Sequence, residues 1–441
     1  MTGLEPLYTA DEMKAAEAGH DVEQLMERAG GAVAEAVSRH YPGANVVAVC
    51  GKGANGGDGR IAAAKVGAEV VEVGAELPKA DVVIDAIFGT GFHGEPREDA
   101  ARSIDAIGSA GVPVVSVDVP SGVNASTGEI AGAVVQANTT VTFHAEKVGL
   151  AVAPGSLQTE RVEVADIGLE AAETAHARVR SEIARLIPRR ERGGNKYRSG
   201  SVLVVGGAPG MTGAVSLAAK AAFRADAGYV TICTPHQSML VVEIQVLEAV
   251  KRRLESVMDA TERASALALG PGLGRDESAK HLVRRLLEET ELPAVVDADA
   301  LFGLEPFERR AATVLTPHSG ELARLLDVES EWVDAHRLEA VDRAVERFRC
   351  VVLLKGSDTI VAAPGARTLI TAGTPRLATA GTGDVLTGVV GSFLSKGMDA
   401  QLAAAAAARV HADAALAWPH DHGLVAGDVI AELPGVLDAA L

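Results

Sequence analysis

The stretch Ala378-Thr379-Ala380-Gly381-Thr382-Gly383-Asp384-Val385-Leu386-Thr387-Gly388 sets one acidic residue among three glycines. Val385, Leu386, Val389 and Val390 then supply the apolar face of a helix, so the pattern predicts a loop that turns into a helix here. Such a turn aims backbone N–H groups at an anion. Asp384, in the first helical turn, sits where the helix dipole favours its ionised form. These are the parts of a catalytic base beside a phosphate. Taken alone, the same residues also describe a glycine-rich turn with Asp384 as an ordinary N-terminal helix residue.

Oxygen-bearing side chains recur at strand ends in the first half of the chain. The apolar run Val46 to Cys50 reads as a buried parallel strand and breaks into Gly51-Lys52-Gly53-Ala54-Asn55-Gly56-Gly57-Asp58-Gly59, with a helix expected from Arg60. Asp81 to Phe88 runs into Gly89-Thr90-Gly91-Phe92-His93-Gly94-Glu95, and Val112 to Val117 into Asp118-Val119-Pro120-Ser121-Gly122. Ligands of doubly wound sheets bind beyond the carboxyl ends of the strands, so Asn55, Asp85, Asp118 and Ser121 should converge on one rim. Each has a plainer reading: Asn55 as a left-handed turn residue, Asp118 as a turn cap before Pro120, Asp58 as a helix cap. Three successive loops of oxygen donors without a basic cluster favour a hard cation.

The elements that must position these residues are those of an α/β protein. The 441 residues suffice for two or three domains. Aromatics make up 3% while glycine reaches 47 residues, which implies Ala/Val/Leu packing and many tight turns. A formal net charge of -18 argues against nucleic acid and anionic membrane as partners, so a phosphate ligand must be held by local N–H groups. Cys50, Cys233 and Cys350 lie in or at the ends of apolar runs and read as buried thiols of a reducing compartment. With no signal-like N-terminus and no apolar window of membrane-spanning length, a cytoplasmic protein is expected. Thr9 with Glu12 predicts a capping box, and a second helix is expected over Asp21 to Ser38.

The first half resembles the YjeF N-terminal family, the NAD(P)H-hydrate epimerases, through Ala54-Asn55-Gly56-Gly57-Asp58-Gly59, Phe88-Gly89-Thr90-Gly91 and Asp118-Val119-Pro120-Ser121-Gly122. The likeness covers about residues 5 to 170 and implies a Rossmann-like domain, expected over 1–175. It implies that Asn55, Asp85 and Ser121 hold K⁺. It further implies that Ala54, Asn55, Gly56, Gly57, Asp58, Gly89, Thr90, Gly91, Phe92, His93, Gly94, Glu95 and Asp118 contact the hydrate. Ala54 stands where the family has a first Asn, which removes one side-chain contact. Asp118 is expected to move the proton as the ring nitrogen expels hydroxide and water returns to either face. Lys147 matches a family lysine that assists, or is an exposed structural lysine; His144 has no assigned role.

From Glu170 to Arg192 the chain turns Ala/Glu/Arg-rich, so a linker and entry helix are expected over 176–200 and a second domain over 201–441. A helix is expected from near Gly213-Ala214. Strands Ala266 to Leu269, Ala294 to Val296, Val314-Leu315 and Val351 to Leu354 lead into Gly270-Pro271-Gly272-Leu273-Gly274, Asp297-Ala298-Asp299-Ala300-Leu301, Thr316-Pro317-His318-Ser319-Gly320-Glu321 and Lys355-Gly356-Ser357-Asp358-Thr359. In that order, with the Gly-Thr-Gly-Asp turn, they resemble the YjeF C-terminal family, the ADP- or ATP-dependent NAD(P)H-hydrate dehydratases of ribokinase-like fold, over about residues 176 to 441. The resemblance implies hydrate contacts from Ala214, Gly272, Gly274, His318 and Asp384. It places the adenine nucleotide at Lys355, Gly356, Ser357, Asp358, Thr359, Gly381, Thr382 and Gly383. His318 also reads as a turn cap, and Lys355 as a solvated lysine. Phe302 and the segment Asn195 to Gly200 depart from the family pattern.

The resemblance thus implies Asp384 as the base that lets the ring hydroxyl attack the terminal phosphoryl of ADP, with Mg²⁺ at that site. NAD(P)HX and ADP are the expected partners, together with a homo-oligomer and without nucleic acid or membrane. The rival readings are a ribokinase-like small-molecule kinase with an N-terminal binding or scaffold domain, and, for His411, His420, Asp421 and His422, a metal site that no spacing gathers.

Overall fold

The computed structural model describes residues 3–190 and 199–440. The chain divides into two units, one holding residues 6–177 with 334–336 and the other residues 1–5, 178–333 and 337–441. β1 (Leu4–Leu7) and β8 (His176–Val179) lie where the chain passes from one to the other. The stretch expected to be a linker with an entry helix therefore forms a strand, followed by a 3₁₀ turn over Ser181–Leu186. Its charged composition hides Ala177, Arg178 and Val179, all buried. Residues Asn195 to Arg198 lie outside the described residues.

The N-terminal unit carries a six-stranded parallel sheet of β2 (Val46–Cys50), β3 (Glu69–Glu72), β4 (Val82–Ala86), β5 (Val114–Val117), β6 (Thr139–Phe143) and β7 (Val162–Ala165), in the order β3-β2-β4-β5-β6-β7. β2 and β4 to β6 are buried at every position, as a parallel sheet covered on both faces requires. The helix Ala10–Glu17 opens with the Thr9/Glu12 capping box, and Val22–His40 opens on Asp21, whose carboxylate accepts from the amides of Glu23 and Gln24.

One sequence expectation fails here. The next helix starts at Ala54, not Arg60, and so absorbs Asn55, Gly56, Gly57 and Asp58 into its first turns. Glycine disfavours helix by about 1 kcal/mol per residue relative to alanine, but packing overrides that. A Cβ on Gly56 would overlap the carbonyl of Gly51, and one on Gly30 would press on Ile61 and the Asp58 carbonyl. The glycines are what let this helix sit against β2 and the helix Val22–His40.

The C-terminal unit is built on β9 (Ser201–Val205), β10 (Tyr229–Thr234), β11 (Val250–Arg253), β12 (Ala266–Leu269), β13 (Ala294–Val296), β14 (Thr313–Leu315), β15 (Val351–Leu354), β16 (Asp358–Ala362) and β17 (Thr368–Ala372). They belong to an eleven-stranded sheet ordered β1-β8-β17-β16-β15-β14-β13-β12-β9-β10-β11, parallel from β15 through β11 and antiparallel where β15, β16 and β17 pair. Across it lies the largely buried helix Thr382–Ser395, packed on the helix Thr212–Arg224. Gly388 permits that contact, because a Cβ there would overlap the Ala218 carbonyl. No helix among the described residues is long and apolar enough to cross a membrane.

Replacing Gly388 with alanine should lower the stability of the C-terminal unit by ~1–3 kcal/mol through overpacking. Gly435→Ala, where a Cβ meets nothing, should not. Thermal melts of the two variants check this.

Candidate active sites

In the N-terminal unit the expected oxygen donors do gather beyond the strand ends. Asp85, at the end of β4, is fully buried and accepts from the Ser121 amide (2.9 Å) and from the hydroxyls of Ser121 (2.6 Å) and Ser116 (2.8 Å). Asn55 Nδ2 donates to the Phe88 carbonyl (2.8 Å), and the Phe88 amide donates to Ser121 Oγ (2.9 Å). Burial pushes the Asp85 carboxyl up against the lowering effect of these bonds, and among the described residues no cationic side chain pairs with it. A buried carboxylate ringed by neutral oxygen donors fits a monovalent cation. From Gly89 to Glu95 the rim is partly or fully open to solvent, with Phe92 stacked on Phe88 at 4.4 Å.

Asp118 holds a left-handed backbone (φ 68°), uncommon for a side-chain-bearing residue and frequent at functional sites. Its Oδ1 lies 2.8 Å from Lys147 Nζ and accepts from Thr142 Oγ1 at 3.0 Å. Lys147 is not exposed, as one reading held, but wholly buried, its ammonium protons shared among Asp118, Thr142 Oγ1 and the carbonyls of Phe143 and Ala145. His144 shares the positive φ, contacts the Tyr8 hydroxyl at 3.1 Å and is held below the usual histidine pKa by burial and by Lys147.

Asp58 is buried with Oδ1 unpartnered, and burial, then Asp118 and Glu17, push its carboxyl up to about 8. Glu17 did not stand out in the sequence. It ends the helix Ala10–Glu17, and loss of solvent around its carboxyl, then nearby Asp118, raises its pKa.

In the C-terminal unit Asp384 does occupy the first turn of its helix, behind Gly381 at φ 89°. Burial and the neighbouring Asp297 push its carboxyl up to about 7, against the pull of Lys355. Lys355, at the end of β15, lies 2.7 Å from Asp297 and 3.7 Å from Glu321. Burial opposes its charge, yet these carboxylates raise its pKa above the ordinary lysine value. Asp297 also accepts from Thr387 Oγ1 at 2.6 Å. Neither Asp297 nor Glu321 stood out as a side chain in the sequence; the signal available was that both sit in strand-end loops of the same series.

Gly272 (φ 60°) and Ala214 come together, a Cβ on Gly272 lying 3.3 Å from that of Ala214. The Gly274 amide donates to Asp299, which also holds Arg275. His318 caps the helix Ser319–Leu326: its Nδ1 accepts from the Gly320 amide while Glu321 returns a bond to the His318 amide, and the ring stays exposed. Gly356 and Ser357 are exposed beside Lys355, but Asp358 faces inward, 3.2 Å from buried Arg337, whose guanidinium also binds the Asp358 carbonyl. Asp358 can thus meet a ligand through its backbone alone. Thr382 likewise spends its hydroxyl on the carbonyls of Leu377 and Thr379.

His411 is buried apart from His420 and His422, and no group of three or more His, Cys, Asp or Glu side chains among the described residues could hold a metal.

Each of the two α/β units gathers buried charged side chains beyond the carboxyl ends of parallel strands, the place where ligands bind in doubly wound sheets. The family described as NAD(P)H-hydrate dehydratase matches residues 202–434, and the YjeF-related protein N-terminus matches residues 22–78 and 65–149. A bifunctional NAD(P)H-hydrate repair enzyme of Moorella thermoacetica is 38% identical over 94% of this chain and 92% of its own, and that of Escherichia coli 33% identical over 79% and 76%. Among solved structures, the ADP/ATP-dependent NAD(P)H-hydrate dehydratase of Bacillus subtilis co-crystallised with ATP/Mg²⁺ is 30% identical, covering 59% of this chain and 97% of that one at a TM-score of 0.56. The chain belongs to this family of bifunctional NAD(P)H-hydrate repair enzymes.

Removing the Lys147 charge should leave Asp118 buried without its partner. Lys147→Met should therefore cost about 3–5 kcal/mol of stability, and adding Asp118→Asn should recover part of it; denaturant titration of the single and double variants reads both. At the other site, Lys355→Met should move the Asp384 titration above 7, since Lys355 lowers it. Carboxyl-labelled NMR reads that midpoint.

Proposed function

We propose that this chain repairs hydrated NADH and NADPH in two steps, one in each unit. The observation that carries the second step is Asp384, poised near neutrality in the first turn of a helix that opens on glycine and beside Lys355. Hydroxide is a poor leaving group. Asp384 therefore takes the proton of the ring hydroxyl as its oxygen attacks the terminal phosphorus of ADP, and the bond to the bridging oxygen breaks to release AMP. The ring nitrogen lone pair expels phosphate, and loss of a proton from the adjacent carbon restores the double bond. The amides of Gly381, Thr382 and Gly383 face the transferred group, the Lys355 to Thr359 turn receives the nucleotide, and Ala214, Gly272, Gly274 and His318 border the hydrate.

Mg²⁺ would supply charge neutralisation on the phosphates. The carboxylates here do not fit a resident shell for it, since Asp297 is held by Lys355 and Thr387, and Asp299 by Gly274 and Arg275.

In the N-terminal unit Asn55, Asp85 and Ser121 would hold K⁺, which would balance the buried Asp85 charge and fix the loop that follows β4. Asp118, aimed by Lys147 and Thr142, moves the proton as hydroxyl departs from and returns to the ring. The site residues from Ala54 to Asp58 and from Gly89 to Glu95 enclose the hydrate. The protein is proposed to act in the cytoplasm as a homo-oligomer.

The test is NADH formation from mixed NADHX epimers with ADP. Full conversion is expected. Asp384→Asn should lower the rate by about 10²–10⁴-fold, the usual contribution of a general base, and Asp118→Asn should stop the reaction once the S epimer is spent. Because Asp384 must be ionised to act, the dehydration rate should fall as pH drops through about 7. A stable phosphorylated product, or conversion unaffected by Asp384→Asn, would overturn the assignment.

A further inference from the structure

Inversion at a ring carbon requires proton transfer on both faces of the ring, because hydroxyl departs from one face and water returns to the other. Asp118, fixed by Lys147 and Thr142, can serve only the face it stands on. A second carboxyl shares the rim. Asp58 lies in the second turn of the helix Ala54–Val66, 8% exposed, and its Oδ1 is buried without a hydrogen-bond partner among the described residues. An ionised oxygen buried and unpaired is costly enough that such a group keeps its proton instead. Burial, then the charges of Asp118 and Glu17, hold the proton on Asp58, whereas Asp118 is matched by a buried ammonium. One rim thus carries an acid and a carboxylate at the same pH.

The topology sets the two apart. In the sheet order β3-β2-β4-β5, Asp58 comes from the helix after β2 and Asp118 from the loop after β5, so the pair flanks the end of β4. Two strand spacings come to about 10 Å, which leaves room for a flat ring with a carboxyl group on each side. We propose that Asp58 and Asp118 act as an acid–base pair across the nicotinamide ring, each serving one face of the hydrate. This rests on the epimerase reading of the N-terminal unit. For the epimer whose hydroxyl faces Asp58, the Asp58 proton passes to that oxygen as the ring nitrogen lone pair breaks the carbon–oxygen bond, and water leaves. A second water bonds to the carbon from the opposite face, its proton going to Asp118 and the electron pair returning to nitrogen. Asp58 ends as carboxylate and Asp118 as acid, the arrangement that the other epimer needs, and proton exchange with solvent resets the pair.

Separated NADHX epimers, incubated with the full chain in heavy-oxygen water without ADP, test the pairing by chromatography and mass spectrometry. The wild type should invert either epimer and load it with label. Asp58→Asn should invert both about 10²–10⁴-fold more slowly, yet still exchange oxygen in one epimer, the one whose hydroxyl faces Asp118. Asp118→Asn should exchange oxygen only in the other. Inversion by Asp58→Asn at the wild-type rate, or label entering both epimers or neither, would overturn the pairing. A wild type that inverts neither epimer would instead overturn the epimerase reading. Should Asp58→Asn melt early, Asp118→Asn decides alone, since label in both epimers or in neither has the same meaning there.

Discussion

One ammonium group among carboxylates organises the C-terminal site. Lys355 ties the end of β15 to the end of β13 through Asp297 and to the start of the helix Ser319–Leu326 through Glu321, while Thr387 ties Asp297 to the helix that bears Asp384. Four separate elements are thus referred to a single charge. With one cation against several acids, the surroundings of Asp384 stay electronegative, and that, added to burial, is what lifts its carboxyl toward neutrality. Among the described residues this site carries no surplus of positive side chains, so the phosphate binding proposed above would depend on backbone amides at the glycine turn.

The N-terminal unit uses its acids in contrasting ways. Asp118 is paired with a fully buried lysine, Asp85 is buried with hydroxyl and amide donors and, among the described residues, no cationic side chain, and Asp58 is left with an unpartnered oxygen. Three carboxylates within one rim therefore experience three different fields. Separating the charge states of like groups in this way is how a small site can hold a proton on one oxygen and accept it on another.

Much of this was legible in the sequence and some was not, for physical reasons. β12, β13 and β15 start and stop where continuous apolar runs do, because strands buried on both faces admit little else. The Thr9 cap and the start of the second helix near Asp21 were readable from local spacing. The helix from Ala54 was not, since its glycines argue against helix and only the close approaches of Gly56 to Gly51 and of Gly30 to Ile61 and Asp58 explain it. Nor were the partners of Lys355: Asp297 stands 58 residues away, and proximity across a sheet leaves no local trace. The burial of Lys147 is of the same kind, being decided by Thr142 and Asp118 rather than by its own flanks.

β15 and β16 are antiparallel neighbours, with Leu354 opposite Ile360 and Leu353 opposite Val361. The intervening turn carries Lys355 on one side and directs Asp358 to Arg337 on the other. Since strand side chains alternate, gaining or losing one residue between 355 and 358 would swap which of them faces inward. Exchanging the exposed side chain at 357 would leave this arrangement in place, whereas an insertion in the hairpin would be more damaging than almost any exchange of amino acid.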